Sequence, residues 1–153
     1  MRAHETRVMR TALRILGNRA DAEDVAQETF LRLHKRGVQF ESDAAQSAWI
    51  YRVAVNLCLD RARAKRPTAE LRDLRSPGIS VESAVIRQQS REILLAALQE
   101  LPARERAAVV LREIEGLSTP EVAEILGVAE PTVRSQISKA VSKLRAKFAR
   151  RKV

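Results

Sequence analysis

Residues 116–144, GLSTPEVAEILGVAEPTVRSQISKAVSKL, carry the strongest structural signal in the chain. Ser118 and Glu121 have the S-x-x-E spacing of a capping box, in which the hydroxyl and the carboxylate each accept a hydrogen bond from a free backbone N–H. A helix is therefore predicted to begin at Ser118 and to end at Gly127, which supplies a left-handed residue. Pro131 fits the first turn of a second helix, where a missing N–H is harmless. Two helices joined by a short turn predict a helix-turn-helix.

The second of these helices is predicted to have an apolar back and a cationic front. Apolar residues recur at helical spacing at Val133, Ile137, Ala140, Val141, Leu144 and Phe148. Residues 134–152 contain eight Lys and Arg residues and no Asp or Glu, which is what a reader of the DNA major groove needs. Arg134 lies away from the apolar stripe, where its guanidinium can bind a guanine through two hydrogen bonds or clamp a phosphate.

The composition of the whole chain also indicates a polyanionic partner. The 153 residues have a formal net charge of +9 and a pI near 10.7, which favours a nucleic acid or an anionic membrane surface. No apolar run approaches the ~20 residues that cross a bilayer, and the start, MRAHETRVMR, lacks the apolar core of a secretory signal, so we expect a cytoplasmic protein. Cys58 is the only cysteine, and neither histidine has partners at ligand spacing, so we predict no metal and no cofactor. Because no phosphate-binding loop, nucleophile motif or carboxylate pair is found, we predict that the chain is not an enzyme.

Helical periodicity runs through both halves of the chain, without a strand pattern. In the first half, helices are predicted from Glu5 to Leu16, from a cap at Asp21 to Gly37, and from about Ala45 to Lys65. Residues 67–82, PTAELRDLRSPGISVE, lose this periodicity and indicate a solvated linker. Two further helices precede the helix-turn-helix. We therefore predict an all-α chain of two small helical domains joined by a flexible linker.

The third predicted helix has two faces. The residues expected to face inward are Trp49, Ile50, Val53, Ala54 and Leu57, and those expected to face water or a partner are Tyr51, Arg52, Asn56, Arg61 and Arg63. Trp49 has two interpretations, because an aromatic group can replace base stacking as a wedge in DNA or can pack in the core on the same stripe as Val53 and Leu57.

Acidic and amide groups collect at the start of the second predicted helix, at Asp21, Asp24, Gln27 and Glu28. Acids there can simply complement the helix dipole, which applies best to Asp21. The others can instead form a docking surface for a protein, since an acidic patch on a basic chain should not face DNA.

Two sequence blocks in the first half and one in the second resemble the extracytoplasmic-function sigma factors of bacterial RNA polymerase. The first-half blocks are DAEDVAQETFLRLHK, residues 21–35, and AWIYRVAVNLCLDRAR, residues 48–63, which are similar to sigma region 2. The second-half block is LPARERAAVVLREIEGLSTPEVAEILGVAEPTVRSQISKAVSKLR, residues 101–145, which is similar to region 4. The resemblance covers nearly the whole chain except the linker.

The resemblance implies a subunit that docks on core RNA polymerase, directs it to promoters and helps to open the DNA. It implies region 2 in residues 1–66, a linker in residues 67–82 and region 4 in residues 83–153. The residues implied for contact with the clamp helices of the polymerase β′ subunit are Asp24, Gln27 and Glu28. Those implied for contact with the single-stranded −10 element are Tyr51, Arg52, Asn56, Arg61 and Arg63. The residues implied for the duplex −35 element are Pro131, Thr132, Arg134, Ser135, Ser138 and Lys139.

The resemblance also implies a pocket for a flipped base in residues 37–47, contact with the polymerase β subunit, and an anti-sigma factor that holds the protein inactive. The lack of a long apolar run predicts no membrane insertion. Two other hypotheses remain. One is a helix-turn-helix regulator that binds duplex DNA without polymerase, and the other is a sigma-like protein that sequesters polymerase without starting transcription. We expect no regulatory domain after Val153.

Overall fold

The structure of the chain, a computed structural model, describes residues 2–37, 39–64 and 82–151, with side chains described for residues 4–37, 39–64 and 88–149. These ranges hold helices and connecting turns and no strand, as predicted for an all-α chain. The helices are α1 (Arg2–Leu16), α2 (Arg19–Arg36), α3 (Asp43–Ala64), α4 (Glu82–Gln99), α5 (Ala103–Val109), α6 (Thr119–Leu126) and α7 (Glu130–Arg151). The predicted linker, residues 67–82, lies outside the described residues except for Glu82, where α4 begins.

The first three helices pack on one another around a shared apolar core. α1 lies against α2 and α3, and α2 also contacts α3. The core includes Val8 and Ile15 from α1, Val25 from α2, and Ile50 and Val55 from α3, each no more than 1% exposed. All of these except Val55 lie on the apolar stripes that the sequence predicted, whereas Val53, which was predicted to face inward, is only partly buried. Removing these side chains from water is the main force that holds the three helices together.

The beginning of α2 differs from the prediction that Asp21 is its cap. Gly17 ends α1 with a left-handed φ of 68°, and the next residue, Asn18, is extended. The side-chain oxygen of Asn18 accepts a hydrogen bond from the backbone N–H of Asp21 at 3.0 Å. Asn18 is therefore the cap, and Asp21 lies inside the first turn of α2. Gly37 ends α2, as predicted, with a φ of 56°.

α3 begins at Asp43, earlier than predicted, and is buried on more than one side. Trp49 is partly buried and packs against the core, which favours the packing interpretation over the DNA wedge. Cys58 is buried, and burial raises the pKa of its thiol to about 12. At ordinary pH the thiol is therefore protonated and acts as a small apolar group.

The last four helices form the second half and bury apolar residues among themselves. Leu98 of α4, Leu111, Val122 of α6 and Val133 of α7 are all less than 2% exposed. α5 continues into a π-helical turn, Val110–Ile114. In this turn the backbone N–H of Glu115 donates to the carbonyl of Val110 at 2.9 Å, one residue further back than in an α-helix.

The two halves also pack against each other, and their buried apolar residues form one cluster. α3 lies against α6 and α5, and α1 contacts α4 and the π-helical turn. Arg106 of α5 joins the halves, because its buried guanidinium donates to Ile15 at the end of α1 (2.5 Å) and to Leu98 (2.8 Å), Gln99 (3.3 Å) and Leu101 (2.8 Å) around the end of α4. Burial lowers the pKa of Arg106, and the negative ends of two helix dipoles compensate the buried charge.

Candidate nucleic-acid and polymerase interfaces

The helix-turn-helix has the local geometry that the sequence predicts. The Ser118 N–H donates to the Glu121 carboxylate at 2.8 Å, and the Glu121 N–H donates to the Ser118 hydroxyl at 3.3 Å, which completes the capping box. These hydrogen bonds lower the pKa of the Glu121 carboxyl because they favour its charged form. Gly127 ends α6 with a left-handed φ of 69°. The turn that follows leads directly into α7.

The predicted DNA-reading face of α7 is open to solvent. Val133 and Ala140 are fully buried and fix the rotation of α7 against the rest of the second half. The exposed residues on the other side include all six that were predicted for the −35 element, Pro131, Thr132, Arg134, Ser135, Ser138 and Lys139. The N-terminal part of such a helix is the part that reaches base edges in the major groove.

Glu130 is a functional candidate that the sequence reasoning missed. Its carboxylate lies 3.8 Å from the Arg134 guanidinium, and both side chains are about half exposed or more, at 48% and 61%. The i,i+4 spacing of the two residues was the signal that could have revealed the pair. Such an exposed pair contributes little to stability, but it places the Arg134 guanidinium beside Glu130 at the N-terminal end of α7.

Two lysines of α7 form ion pairs with acids of the second half. Lys143 donates to Glu105 of α5 at 2.8 Å, and Lys147 is paired with Glu100, which follows α4. Both ammonium groups therefore form ion pairs within the second half. The other cations of α7 whose side chains are described are Arg134, Lys139 and Arg145, and all three are exposed.

The predicted docking residues of α2 line one groove. The groove has a volume of about 290 Å³ and is lined by Asp24, Val25, Gln27, Glu28 and Leu31 of α2 and by Leu57 and Arg61 of α3. Leu31 is 47% exposed, the only large apolar side chain so exposed among the described residues. Its place one turn after Gln27, off the buried stripe of α2, was a sequence signal that we did not use. Leu31 thus gives the groove an apolar side chain among acidic and amide groups.

Arg61 lies in this groove and not with the other residues predicted for the −10 element. Its guanidinium is 3.3 Å from the Asp21 carboxylate and 3.5 Å from that of Asp24. Both acids lie on α2, so the Arg61 side chain extends from α3 towards α2 and lines the groove. The acidic surface is thus partly neutralised from within, and Asp24 is held in position by an ion pair.

The remaining residues predicted for the −10 element divide into two pairs. Asn56 and Arg63 are exposed, as predicted. The prediction that Tyr51 faces water is wrong, because Tyr51 is only 5% exposed and its hydroxyl donates to Glu115 of the second half at 3.0 Å. Arg52 is partly exposed and donates to Glu124 of α6 at 2.7 Å. The second half therefore covers one part of the face that was expected to bind DNA.

The loop between α2 and α3 is shorter than the predicted pocket segment, residues 37–47. α3 already begins at Asp43, and the Ser42 hydroxyl accepts from the Ala45 N–H at 3.1 Å, as a cap does. The Arg36 guanidinium lies 4.7 Å from the ring centre of Phe40 and 5.1 Å from that of Trp49. These cation–π contacts fasten both ends of the loop to the helices beside it.

Comparison with known proteins identifies the family of the chain. The family model described as Sigma-70 region 2 matches residues 1–68, and the model described as Sigma-70, region 4 matches residues 91–144. The ECF RNA polymerase sigma factor SigM of Mycobacterium tuberculosis is 38% identical over 148 residues, which cover 94% of this chain and 72% of the relative. The chain belongs to the ECF sigma factors. It is an RNA polymerase sigma factor, which directs core polymerase to promoters.

Two further comparisons agree with this family. The sigma factor SigW of Bacillus subtilis is 30% identical over 155 residues, covering 93% of this chain and 83% of the relative. A solved structure, described as CnrH in complex with the cytosolic domain of CnrY, has a TM-score of 0.69 and 26% identity, and covers 96% of this chain and 84% of that one. Sigma factors are initiation factors that do not themselves catalyse a reaction. In the part of this sigma factor that the structure describes, no helix is long and apolar enough to cross a membrane.

Tyr51 gives a spectroscopic test of the contact between the halves of the sigma factor, since it is the only tyrosine in the chain. Burial and the charge of Glu115 raise the pKa of Tyr51 to about 12, and the Arg7 guanidinium, 5.6 Å from the ring centre, opposes this shift. Because the raised pKa favours the neutral phenol in the folded chain, the stability that it contributes is fully present below pH 10 and is lost as the pH rises towards 12.

We therefore expect the ultraviolet absorbance of tyrosinate to rise with a midpoint near pH 12 in the folded sigma factor, and near pH 10 when the chain is unfolded in urea. Circular dichroism over the same pH series shows whether the helices persist. A midpoint near pH 10 in the folded chain would mean that Tyr51 is not buried against Glu115.

Proposed function

We propose that this sigma factor holds core polymerase through the groove between α2 and α3 and reads its promoter with α7 and α3. The observation that carries this proposal is the groove itself, where Asp24, Gln27 and Glu28 surround the exposed Leu31. An apolar centre with a polar rim is the usual anatomy of a protein interface. We assign this groove to the clamp helices of the β′ subunit.

The promoter contacts divide between the two halves. Region 4 binds the −35 duplex with Pro131, Thr132, Arg134, Ser135, Ser138 and Lys139, and Glu130 orients Arg134. Region 2 binds the −10 strand with Asn56 and Arg63, which are exposed, and with Tyr51 and Arg52 once the second half has moved away. The short loop held by Arg36 receives a flipped base. Arg61 is better assigned to the docking groove than to the −10 strand, because it pairs with Asp21 and Asp24.

The division into region 2 in residues 1–66, a linker in residues 67–82 and region 4 in residues 83–153 is part of the same proposal. It is supported by family models that match residues 1–68 and 91–144. We also propose an anti-sigma factor as a partner, by analogy with CnrH, whose solved structure contains CnrY. The protein would then act in the cytoplasm, with no catalytic activity of its own.

The docking groove is tested by removing two of its uncharged side chains, which leaves the net charge of the groove unchanged. Replacing Gln27 and Leu31 together by alanine should weaken binding to core polymerase about tenfold or more, because the few residues that cost more than ~1 kcal/mol when truncated cluster near the centre of an interface. The matched control is the Arg19→Ala, Glu23→Ala double variant, which removes another i,i+4 pair on α2, outside the groove. Affinity for sigma-free core polymerase is measured by titration of fluorescently labelled protein.

We expect the control to bind within about twofold of the unaltered protein, since exposed ion pairs contribute little. Equal core affinity in both double variants would contradict the groove assignment. Duplex DNA binding by the same variants provides an internal check, because the DNA-reading face of α7 lies on the other half of the chain.

The plain helix-turn-helix regulator is the weaker candidate function. In that case the groove between α2 and α3 would have no partner, although it gathers the exposed Leu31 and three acidic or amide side chains. The sequestering protein would need an altered −10 surface, yet Asn56 and Arg63 remain exposed on α3. Both alternatives give a different result when the protein is combined with core polymerase.

A further inference from the structure

Glu130 is the only acid in α7, and it is the first residue of the helix. Its carboxylate lies 3.8 Å from the Arg134 guanidinium, one turn further along, and the two side chains are 48% and 61% exposed. Every other charged residue of α7 is a Lys or an Arg. One acid thus stands beside an arginine at the N-terminal end of an otherwise cationic helix, and this end is the part that can reach base edges.

The Glu130 carboxylate makes no hydrogen bond within the described part of the chain. In α6 the acid Glu121 caps the helix by accepting a backbone N–H at 2.8 Å. The first turn of α7 is closed by the backbone alone, because the N–H groups of Thr132 and Val133 donate to the Ala129 carbonyl at 3.0 and 3.2 Å. Glu130 also complements the helix dipole, which stabilises a helix only slightly. Its oxygens are therefore free to accept a hydrogen bond from another molecule.

The Arg134 guanidinium is equally free. Its distance to Glu130 is that of an ion pair and is too long for a hydrogen bond, and Glu130 is its only ionic partner among the residues that the structure describes. In contrast, Lys143 of the same helix donates to Glu105 of α5 at 2.8 Å. Arg134 thus keeps its parallel donors available, and the carboxylate beside it supplies acceptors.

A G·C base pair presents the complementary groups in the major groove. Guanine offers two acceptors, O6 and N7, and cytosine offers a donor, the N4 amino group. O6 and N4 are hydrogen-bonded to each other and so lie about 3 Å apart. Two side-chain groups 3.8 Å apart can therefore approach this edge side by side, one on each base. In an A·T pair the purine offers a donor beside N7 and the pyrimidine offers an acceptor, so each side chain would meet a group of its own kind.

We propose that Glu130 and Arg134 together read one G·C base pair. Arg134 donates to O6 and N7 of the guanine, and Glu130 accepts from the N4 amino group of the cytosine paired with it. This inference rests on the proposed binding of the −35 duplex by α7, and it makes Glu130 a residue that determines specificity. Because a carboxylate is also repelled by the DNA phosphates, Glu130 contributes discrimination between base pairs and not affinity for DNA in general.

The test compares Glu130→Ala with Glu113→Ala, each in the full chain assembled with core polymerase. Glu113 is an exposed acid of the π-helical turn, so its variant removes the same charge from a different element of the second half. The −35 element of a promoter that the unaltered protein transcribes is randomised, and the DNA bound by each holoenzyme is sequenced. Arg134→Ala is included because it identifies the base pair that Arg134 reads.

At the position where Arg134→Ala loses its preference for guanine, we expect Glu130→Ala to lower the preference for G·C over the other base pairs about tenfold. Binding of Glu130→Ala to DNA that lacks this G·C pair should not weaken. Glu113→Ala should keep the preference within about twofold. A preference lost by Glu130→Ala at a different position, or at none, would overturn the joint reading.

N4-methylcytosine distinguishes a base contact by Glu130 from an effect that acts only through Arg134. This base still pairs with guanine, but its methyl group replaces the N4 hydrogen that faces the major groove. At the identified position it should weaken binding of the unaltered holoenzyme about tenfold and binding of the Glu130→Ala holoenzyme by no more than about twofold, as measured by fluorescence anisotropy with labelled promoter DNA. Equal weakening of both holoenzymes would overturn the cytosine contact, because Glu130 would then only position Arg134.

The same data distinguish a failure of this inference from a failure of the proposed −35 function. If Arg134→Ala alone relaxes the preference at one position, α7 does read the promoter and only the joint reading is wrong. If Arg134→Ala and Glu130→Ala both keep the preference of the unaltered protein at every randomised position, the −35 assignment on which the inference rests is wrong as well.

Discussion

Replacing Arg106 by alanine is expected to lower the free energy of unfolding of the chain by about 3–5 kcal/mol. The guanidinium donates to the carbonyls of Ile15, Leu98, Gln99 and Leu101, and Arg106 is 9% exposed. Alanine would remove the side-chain donor from all four carbonyls at the ends of α1 and α4, and only the Leu98 carbonyl is shown to keep another donor, the Leu101 N–H at 3.1 Å. Loss of a buried hydrogen-bond network is one of the few mechanisms that produce such large effects.

Arg104→Ala is the matched control, since Arg104 lies on the same helix, α5, but is exposed. We expect this control to change the free energy of unfolding by no more than about 0.5 kcal/mol. Arg106→Lys should lower the free energy of unfolding by an amount between those of the two alanine variants, because an ammonium carries the charge but lacks the planar arrangement of donors. Urea unfolding followed by circular dichroism measures all three. A loss below about 1 kcal/mol in Arg106→Ala would contradict the joining role of Arg106.

Replacing Arg134 by alanine should reduce transcription from a promoter of this sigma factor by roughly 5- to 150-fold, which corresponds to about 1–3 kcal/mol of base recognition. Arg134 is 61% exposed near the N-terminus of α7, and Glu130 orients its guanidinium. Binding to core polymerase should be unchanged, because the docking groove lies between α2 and α3. Run-off transcription and core-binding titrations measure the two quantities separately.

Arg134→Lys distinguishes a guanine contact from a phosphate contact. Lysine keeps the charge but not the two parallel donors, so we expect it to lose nearly as much transcription as alanine. Arg145→Ala, an exposed substitution near the other end of α7, should reduce transcription by no more than about twofold. Full activity of Arg134→Lys would mean that Arg134 clamps a phosphate. Equal loss of transcription and core binding in Arg134→Ala would contradict the separation of the two surfaces.

Features that depend on nearby residues could be predicted from the sequence. The capping box of Ser118 and Glu121 and the left-handed Gly127 involve neighbours within one or two turns, and their residue types leave few other conformations. The cap of α2 was the exception. Asp and Asn are both residue types that cap helices well. Asn18 is the cap because Gly17 ends α1 immediately before it.

Contacts between distant parts of the chain could not be predicted in this way. Helical periodicity identified an apolar side of α3, but it contains no information on what covers the other side. Tyr51 and Arg52 were therefore predicted to face water or a partner, although Glu115 and Glu124 of the second half bind them. Arg61 was assigned to DNA for the same reason, since its partners Asp21 and Asp24 are 40 and 37 positions away in the chain.

Whether the chain starts transcription is tested most directly by combining the purified chain with sigma-free core polymerase and performing run-off transcription on genomic fragments. We predict that the chain co-elutes with core polymerase and that discrete transcripts start at particular promoters, with none from core polymerase alone. Co-elution without transcripts would favour a protein that sequesters polymerase. Duplex DNA binding without co-elution would contradict the account, because the chain would then act as a helix-turn-helix regulator that does not bind polymerase.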